Sequence, residues 1–280
     1  MICSRIVKKV RKILGVSQKQ IFADRSSTFE IAKSTRIQNS RIVLKGNSRL
    51  LLDEGVVLRN VLMEIEDSEV VIGRQTEMVA VNCFCKKQTS VHITSNVHMA
   101  SYDLMLNHGL LEMGDYCEFY QGRNGLRPYI QILEGEVHIS DHNVVKADFW
   151  VRFGGKIKVG VYNCINERTE LRADNQIVIG NYNMISYECN IWDTNTHCMY
   201  EVEKRRDITR NMYPVIGGEF ECPKTKPVFI GSDCWIGKRA VLLKGTIIED
   251  KAIVGIGTLV SNQTIHEGKK AVNPKACEVE

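Results

Sequence analysis

Residues 228–262 read VFIGSDCWIGKRAVLLKGTIIEDKAIVGIGTLVSN. Within them Ile230, Ile236, Leu242, Ile248, Val254 and Val260 recur every six residues without a break. Glycine follows the aliphatic residue at Gly231, Gly237 and Gly255, and a small residue stands four positions after it at Cys234, Ala240, Thr246, Ala252 and Thr258. A period of six matches neither the roughly 3.6 of an α-helix nor the alternation of a simple strand. It suits a coil with three flat faces, one hexapeptide to a face. Each aliphatic side chain then points inward and stacks on its equivalent one coil away, and short parallel strands pair between coils.

The same rhythm extends upstream. Val159, Ile165 and Leu171 form one set, and Ile179, Ile185 and Ile191 the next. The step from Leu171 to Ile179 is eight, so two extra residues bulge at a corner near Asp174. Earlier the pattern loosens: Ile31, Ile37 and Val43 keep the six-step, and Ile72-Gly73 and Ile139-Ser140 begin further hexads. The reading is an all-β solenoid, a parallel β-helix of hexapeptide repeats. Residues 25–157 form irregular early coils, with a separate β domain over roughly that span as the alternative. Residues 158–280 form the regular region, interrupted by one long loop over 198–227, where the repeat stops before Val228.

Composition agrees with strands and tight turns, since 21 glycines accompany only five prolines and Val and Ile are abundant. The one convincing helix is Ser4–Gln20, within a basic amphipathic segment assigned to residues 1–24. Ile6, Val7, Val10, Ile13 and Leu14 share its apolar face, flanked by Arg5, Lys8, Lys9, Arg11 and Lys12. Such a helix packs on the domain behind it or lies on an anionic membrane surface; packing is the preferred reading. No apolar run is long enough to span a bilayer, and no secretion signal is evident. The ten cysteines, with no CxxC pair, read as reduced thiols of a cytoplasmic protein. A net charge of +4 gives no reason to expect a nucleic-acid partner.

Chemistry points to the start of the long loop. Ile191-Trp-Asp193-Thr-Asn-Thr-His197 leaves the coil, and His197 occupies the next inward hexad position. An imidazole can take a proton from an alcohol near neutral pH. Asn166, Asp174 and Asp193 form a polar cluster upstream, although Asn and Asp also build turns with no further role.

These segments, Lys158 to His197 and Val228 to Pro274, resemble the hexapeptide acetyltransferases. They are similar to the branch of galactoside, maltose and nodulation-factor acetyltransferases and of capsule or O-antigen O-acetyltransferases. The motifs that carry the likeness are Asp193-Thr-Asn-Thr-His197, Pro227-Val-Phe-Ile-Gly-Ser-Asp-Cys-Trp235-Ile-Gly, Gly255-Ile-Gly-Thr258 and Asn273-Pro274. About a third of the chain is covered well and residues 1–157 hardly at all.

The resemblance implies a left-handed β-helix, acetyl-CoA as co-substrate, no metal, and a homotrimer with its sites between subunits. It implies His197 as general base and Asn166 and Asp174 as acceptor-binding residues, to which Asp193 is added from the same polar cluster. It places Trp235, Lys238, Ile256, Gly257, Thr258, Ser261, Asn262 and Lys275 against coenzyme A. Two departures stand out. Gly255-Ile256-Gly257-Thr258 replaces the usual Gly-Ala-Gly-Ser, and Ala276 occupies an expected basic position, leaving Lys275, Lys269 or Lys270 for the coenzyme phosphates.

The implied function is O-acetylation of a sugar in capsular or other surface-polysaccharide synthesis, in the cytoplasm; the second reading of the basic N-terminal helix would add contact to the inner face of the membrane. N-acylation of an amino sugar is the alternative. A metal-dependent lyase resembling the γ-type carbonic anhydrases needs three convergent histidines. His138 and His142 have no third partner at a suitable coil interval. A non-catalytic scaffold is the remaining class.

Overall fold

The computed structural model describes residues 21–85, 87–123, 125–214 and 221–273. The strands form three parallel sheets of eleven, and every third strand in sequence is a neighbour in its sheet. The chain therefore winds as a parallel β-helix with three faces, here termed A, B and C in the order each coil meets them. Ile21–Ala23 opens face A and Lys270–Ala271 closes face C.

The six-step aliphatics lie inside, with Ile236, Leu242 and Val254 fully enclosed. Each stacks on its equivalent: Ile230 pairs with Ile248, Ile236 with Val254, and Leu242 with Val260. The glycines after Ile230 and Ile236 admit the next coil. A Cβ on Gly237 would stand 2.7 Å from the Ile256 nitrogen, closer than a real side chain tolerates. The stacked interior is the source of stability, since isolated strands this short cannot bury enough apolar surface.

The loose rhythm upstream has a geometric cause. Ile165 pairs with Ile185 and Leu171 with Ile191, a coil of twenty residues, whereas Ile236 and Val254 lie eighteen apart. The extra pair sits at the corner between faces A and B, where face B gains a second inward residue: Ile177 and Ile179 are both buried. The bulge near Asp174 is thus a repeated corner. In the first half the inward positions also take Met63, Met78, Tyr102 and Phe119, which hides the aliphatic pattern. These coils nonetheless continue in the same three sheets, with Ile37 on Leu58 and Leu44 on Ile65.

Two differences from the sequence reading follow. Ile21–Ala23 is a strand paired with Ile42–Leu44, so the segment assigned to residues 1–24 gives way to the β-helix before its end. The helix read over Ser4–Gln20 lies outside the described residues. A helix that the sequence reading lacked, Val202–Met212, forms within the long loop and buries none of its residues. Polar and charged residues fill it, so its weak apolar periodicity left no signal. No helix among the described residues is long and apolar enough to cross a membrane.

Candidate active site

The long loop leaves and rejoins the coil at one place. Thr194 bridges Thr225, the Asn195 N–H donates to the Lys224 carbonyl at 3.1 Å, and the Lys226 N–H donates to the Asp193 carbonyl at 2.9 Å. Beyond this clasp the sheets run on as though nothing intervened, Ile185 pairing with Ile236 and Ile191 with Leu242.

A buried polar cluster underlies the departure point. Val151 pairs with Ala173, which brings Arg152 and Asp174 together at the A–B corner of adjacent coils. The Arg152 Nε and Nη2 donate to the two Asp174 oxygens at 2.8 and 2.7 Å, a bidentate pair. Thr194 Oγ1 donates to Asp174 Oδ2 at 2.7 Å. The Asp193 carboxylate accepts from the backbone N–H groups of Asp174 and Asn175, both at 2.8 Å.

This cluster fixes the residue before His197 from both sides. The Thr196 N–H donates to Thr194 Oγ1 at 3.1 Å, and Arg152 Nη2 donates to the Thr196 carbonyl at 3.3 Å. Thr196 has φ +66°, and it is the one β-branched residue among the described residues in the left-handed region. That conformation is unfavourable for a side chain branched at Cβ and persists only where surroundings enforce it. His197 follows, with its side chain at the surface.

The acceptor set divides. Asp174 and Asp193 are buried, and their oxygens hold Arg152, Thr194 and backbone amides. Asn166, half-buried, lies on the other side of face A at the C–A corner and donates to the Ile185 carbonyl at 3.0 Å. It does not meet Asp174.

The coenzyme set also divides. Trp235 stands exposed on face C, and Lys238, Ile256 and Gly257 follow at the C–A corner. Lys238 Nζ lies 3.5 Å from Glu188 Oε1, and Gly257 has φ +64°. Thr258 is buried at the same corner. Ser261 ends a face A strand and Asn262 follows it, with Lys226 Nζ donating to Asn262 Oδ1 at 2.6 Å. Lys275 lies outside the described residues. His197 and the Trp235–Gly257 surface are therefore separated by the width of face A within one chain.

Arg152 and Thr194 are site residues that the sequence reading passed over. Coil arithmetic would have missed Arg152: it lies 22 residues before Asp174, two more than the twenty-residue coil, and only strand register brings the two to the same A–B corner. His138 and His142 do not converge. His138 Nδ1 contacts Glu112 Oε2 at 2.7 Å, whereas His142 stacks between Tyr116 and Tyr162.

Burial pushes the Asp193 carboxyl up to about 6 from 3.8, with Asp174 adding to the effect and backbone donors opposing it. The folded protein thus holds this proton more tightly than the unfolded chain. Its contribution to stability is complete below about pH 4 and is lost as pH rises through about 6. The loss amounts to roughly 3 kcal/mol at most. Unfolding measured at pH 5 and pH 8 is expected to show a larger fall for the wild type than for Asp193→Asn; equal falls would refute this role for the carboxyl.

No protein-family model matches the sequence. A 2,3,4,5-tetrahydropyridine-2,6-dicarboxylate N-succinyltransferase of Methylobacillus flagellatus is 29% identical over 128 residues, 44% of either chain. The enzyme of the same name from Rickettsia akari is 37% identical over 49 residues, 18% of either chain. The chain thus spans less than half the length of the curated relatives it matches. Among solved structures, the polySia-specific acetyltransferase NeuO aligns with 89% of this chain and 81% of its own at 12% identity and a TM-score of 0.39. The Arabidopsis UDP-N-acetylglucosamine acyltransferase aligns with 92% and 71% at 12% identity and a TM-score of 0.45.

Proposed function

We propose that the protein is an acyltransferase that moves an acetyl group from acetyl-CoA to a sugar hydroxyl, with His197 as general base. The observation that carries this reading is Thr196. A strained β-branched residue, pinned at both its N–H and its carbonyl by a buried ion-pair cluster, presents a surface imidazole at the base of the long loop. Rigid mounting of this kind suits a group that must meet a reacting atom in one geometry. The acceptor oxygen attacks the thioester carbon as His197 takes its proton. The carbon–sulfur bond then breaks, and the imidazolium returns the proton to the departing thiolate. Acyl transfer also fits the succinyltransferase relatives, whose nitrogen acceptor keeps an amino sugar as the second reading.

Asp174 and Asp193 serve in this reading as positioning residues. Trp235, Lys238, Ile256, Gly257, Thr258, Ser261 and Asn262, with Lys275, would hold the coenzyme. Because His197 and Trp235 lie on different sides of one chain, a second copy must complete the site. A trimer supplies it. Met184 and Trp235 are adjacent in register on face C, 64% and 55% exposed, and Tyr182, Phe229 and Ile247 extend this apolar surface around the B–C corner. A patch of this kind is a common association surface.

Mass spectrometry of candidate glycans incubated with protein and acetyl-CoA tests the activity. Calorimetry tests the coenzyme: no heat of binding at millimolar acetyl-CoA would end the reading. Light scattering is expected to give three copies for the wild type and one for Met184→Glu, with coenzyme binding lost in the latter. A monomeric wild type that binds acetyl-CoA would refute the shared site.

A further inference from the structure

Face A carries two outward rows, one at the start of its strands and the other nearer the His197 corner. In one, Asp148 is level with Glu170 and Glu170 with Asn190. In the other, Trp150 is level with Arg172 and Arg172 with Trp192. The Arg172 guanidinium lies between the indoles, 4.1 Å from the Trp150 centroid and 5.2 Å from that of Trp192. Its Nε is 3.0 Å from Glu170 Oε1, off line for a hydrogen bond. These side chains stand on the outer surface of a sheet, yet only 13% of Arg172 and 22% of Glu170 is exposed. Four of the six buried side-chain N and O atoms that the chain leaves without a hydrogen bond, among the described residues, belong to Trp150, Glu170, Arg172 and Trp192.

A purely structural ladder accounts for the cation between two rings, which steadies three coils. The acidic row has a structural part as well, since Asp148 Oδ1 accepts from the Tyr129 N–H at 3.0 Å and Glu170 faces Arg172, but these contacts do not remove the repulsion within the row. Asp148 and Glu170 are like charges on adjacent strands, an arrangement that destabilises a sheet. Burial, with the Glu170 charge adding, pushes the Asp148 carboxyl up to about 6. A costly polar arrangement beside a candidate site points to binding. The strip also touches that site. Trp192 precedes Asp193, and Arg152, which lies over the Trp150 ring at 5.5 Å, donates to the Thr196 carbonyl.

Resting on the acyltransferase reading above, we propose that this strip binds the acceptor, and that the acceptor is an oligosaccharide or polysaccharide of uncharged or amine-bearing sugars. Carboxylates and the Asn190 amide accept and donate to sugar hydroxyls, and indole surfaces take their C–H faces. The acidic row repels polyanionic glycans. Two strand steps separate Trp150 from Trp192, about 10 Å, which favours a chain of sugars over a single ring.

The test is capture of the full-length protein, without acetyl-CoA, on an array of oligosaccharides of neutral hexoses, hexosamines, N-acetylhexosamines, sialic acid and uronic acid. Capture by neutral or amine-bearing chains is expected, weakened at least about tenfold in Glu170→Gln and Trp192→Ala and retained in Trp192→Phe. Acetyl-CoA affinity, measured by calorimetry, is expected to stay unchanged in Glu170→Gln, which also carries the test if Trp192→Ala does not fold. No capture of neutral or amine-bearing chains, capture of acidic chains alone, or unchanged capture by Glu170→Gln would overturn the strip. Glycan capture by a wild type that binds no acetyl-CoA would leave the strip standing and remove the acyltransferase reading.

Discussion

Replacing His197 with alanine is expected to lower turnover by roughly 10² to 10⁴ on the true acceptor while leaving acetyl-CoA affinity nearly intact. A free hydroxyl is a poor nucleophile at neutral pH, so removing the base raises the barrier for attack but not for coenzyme binding. Cys198 is the control. It adjoins His197 in sequence and its Sγ lies 3.5 Å from the Glu221 carbonyl oxygen, turned to the returning strand of the clasp. Cys198→Ala is therefore expected to change turnover little. Rapid-quench kinetics with wild type and both variants decides the matter. Near-normal turnover in His197→Ala would remove the general base, and an acyl-cysteine trapped at Cys198 would replace direct transfer with a covalent route.

Asp174→Ala is expected to cost about 3 to 5 kcal/mol of stability, because it strands the buried Arg152 guanidinium without its counter-ion. Urea unfolding measures this. The double variant Arg152→Met with Asp174→Leu removes both charges and is expected to recover most of the loss. Turnover is expected to stay low in the double variant. Thr194 has lost its acceptor and the Thr196 carbonyl its donor, so His197 no longer sits on a fixed corner. Recovered stability with persistent loss of turnover separates positioning from folding. Native stability in Asp174→Ala would refute the folding role, and full turnover in the double variant would refute the positioning role.

The repeat from Ile230 to Val260 was legible in the sequence because each inward position there is a single aliphatic residue at a fixed step. The return of the chain at Val228 was legible for the same reason, and it pairs with Ile177. The upstream coils were only partly legible. Their twenty-residue length and their mixed inward residues blur a six-step pattern, although the same three sheets run through them.

The sequence by itself determined the winding of the chain, since a one-dimensional repeat buries its inward residues against the next coil and needs no distant contact to do so. It also marked His197, because a break in that repeat is visible locally. Only the tertiary structure decided where the carboxyls of Asp174 and Asp193 lie. Along the chain both read as members of a polar cluster for the acceptor, yet register across coils encloses one with Arg152 and turns the other onto backbone amides. Register likewise decided the Trp150–Arg172–Trp192 column, whose members are about twenty residues apart and share nothing local. Which groups meet at a corner depends on coil length, and two extra residues per coil shift every such meeting. That length becomes definite only when the strands pair.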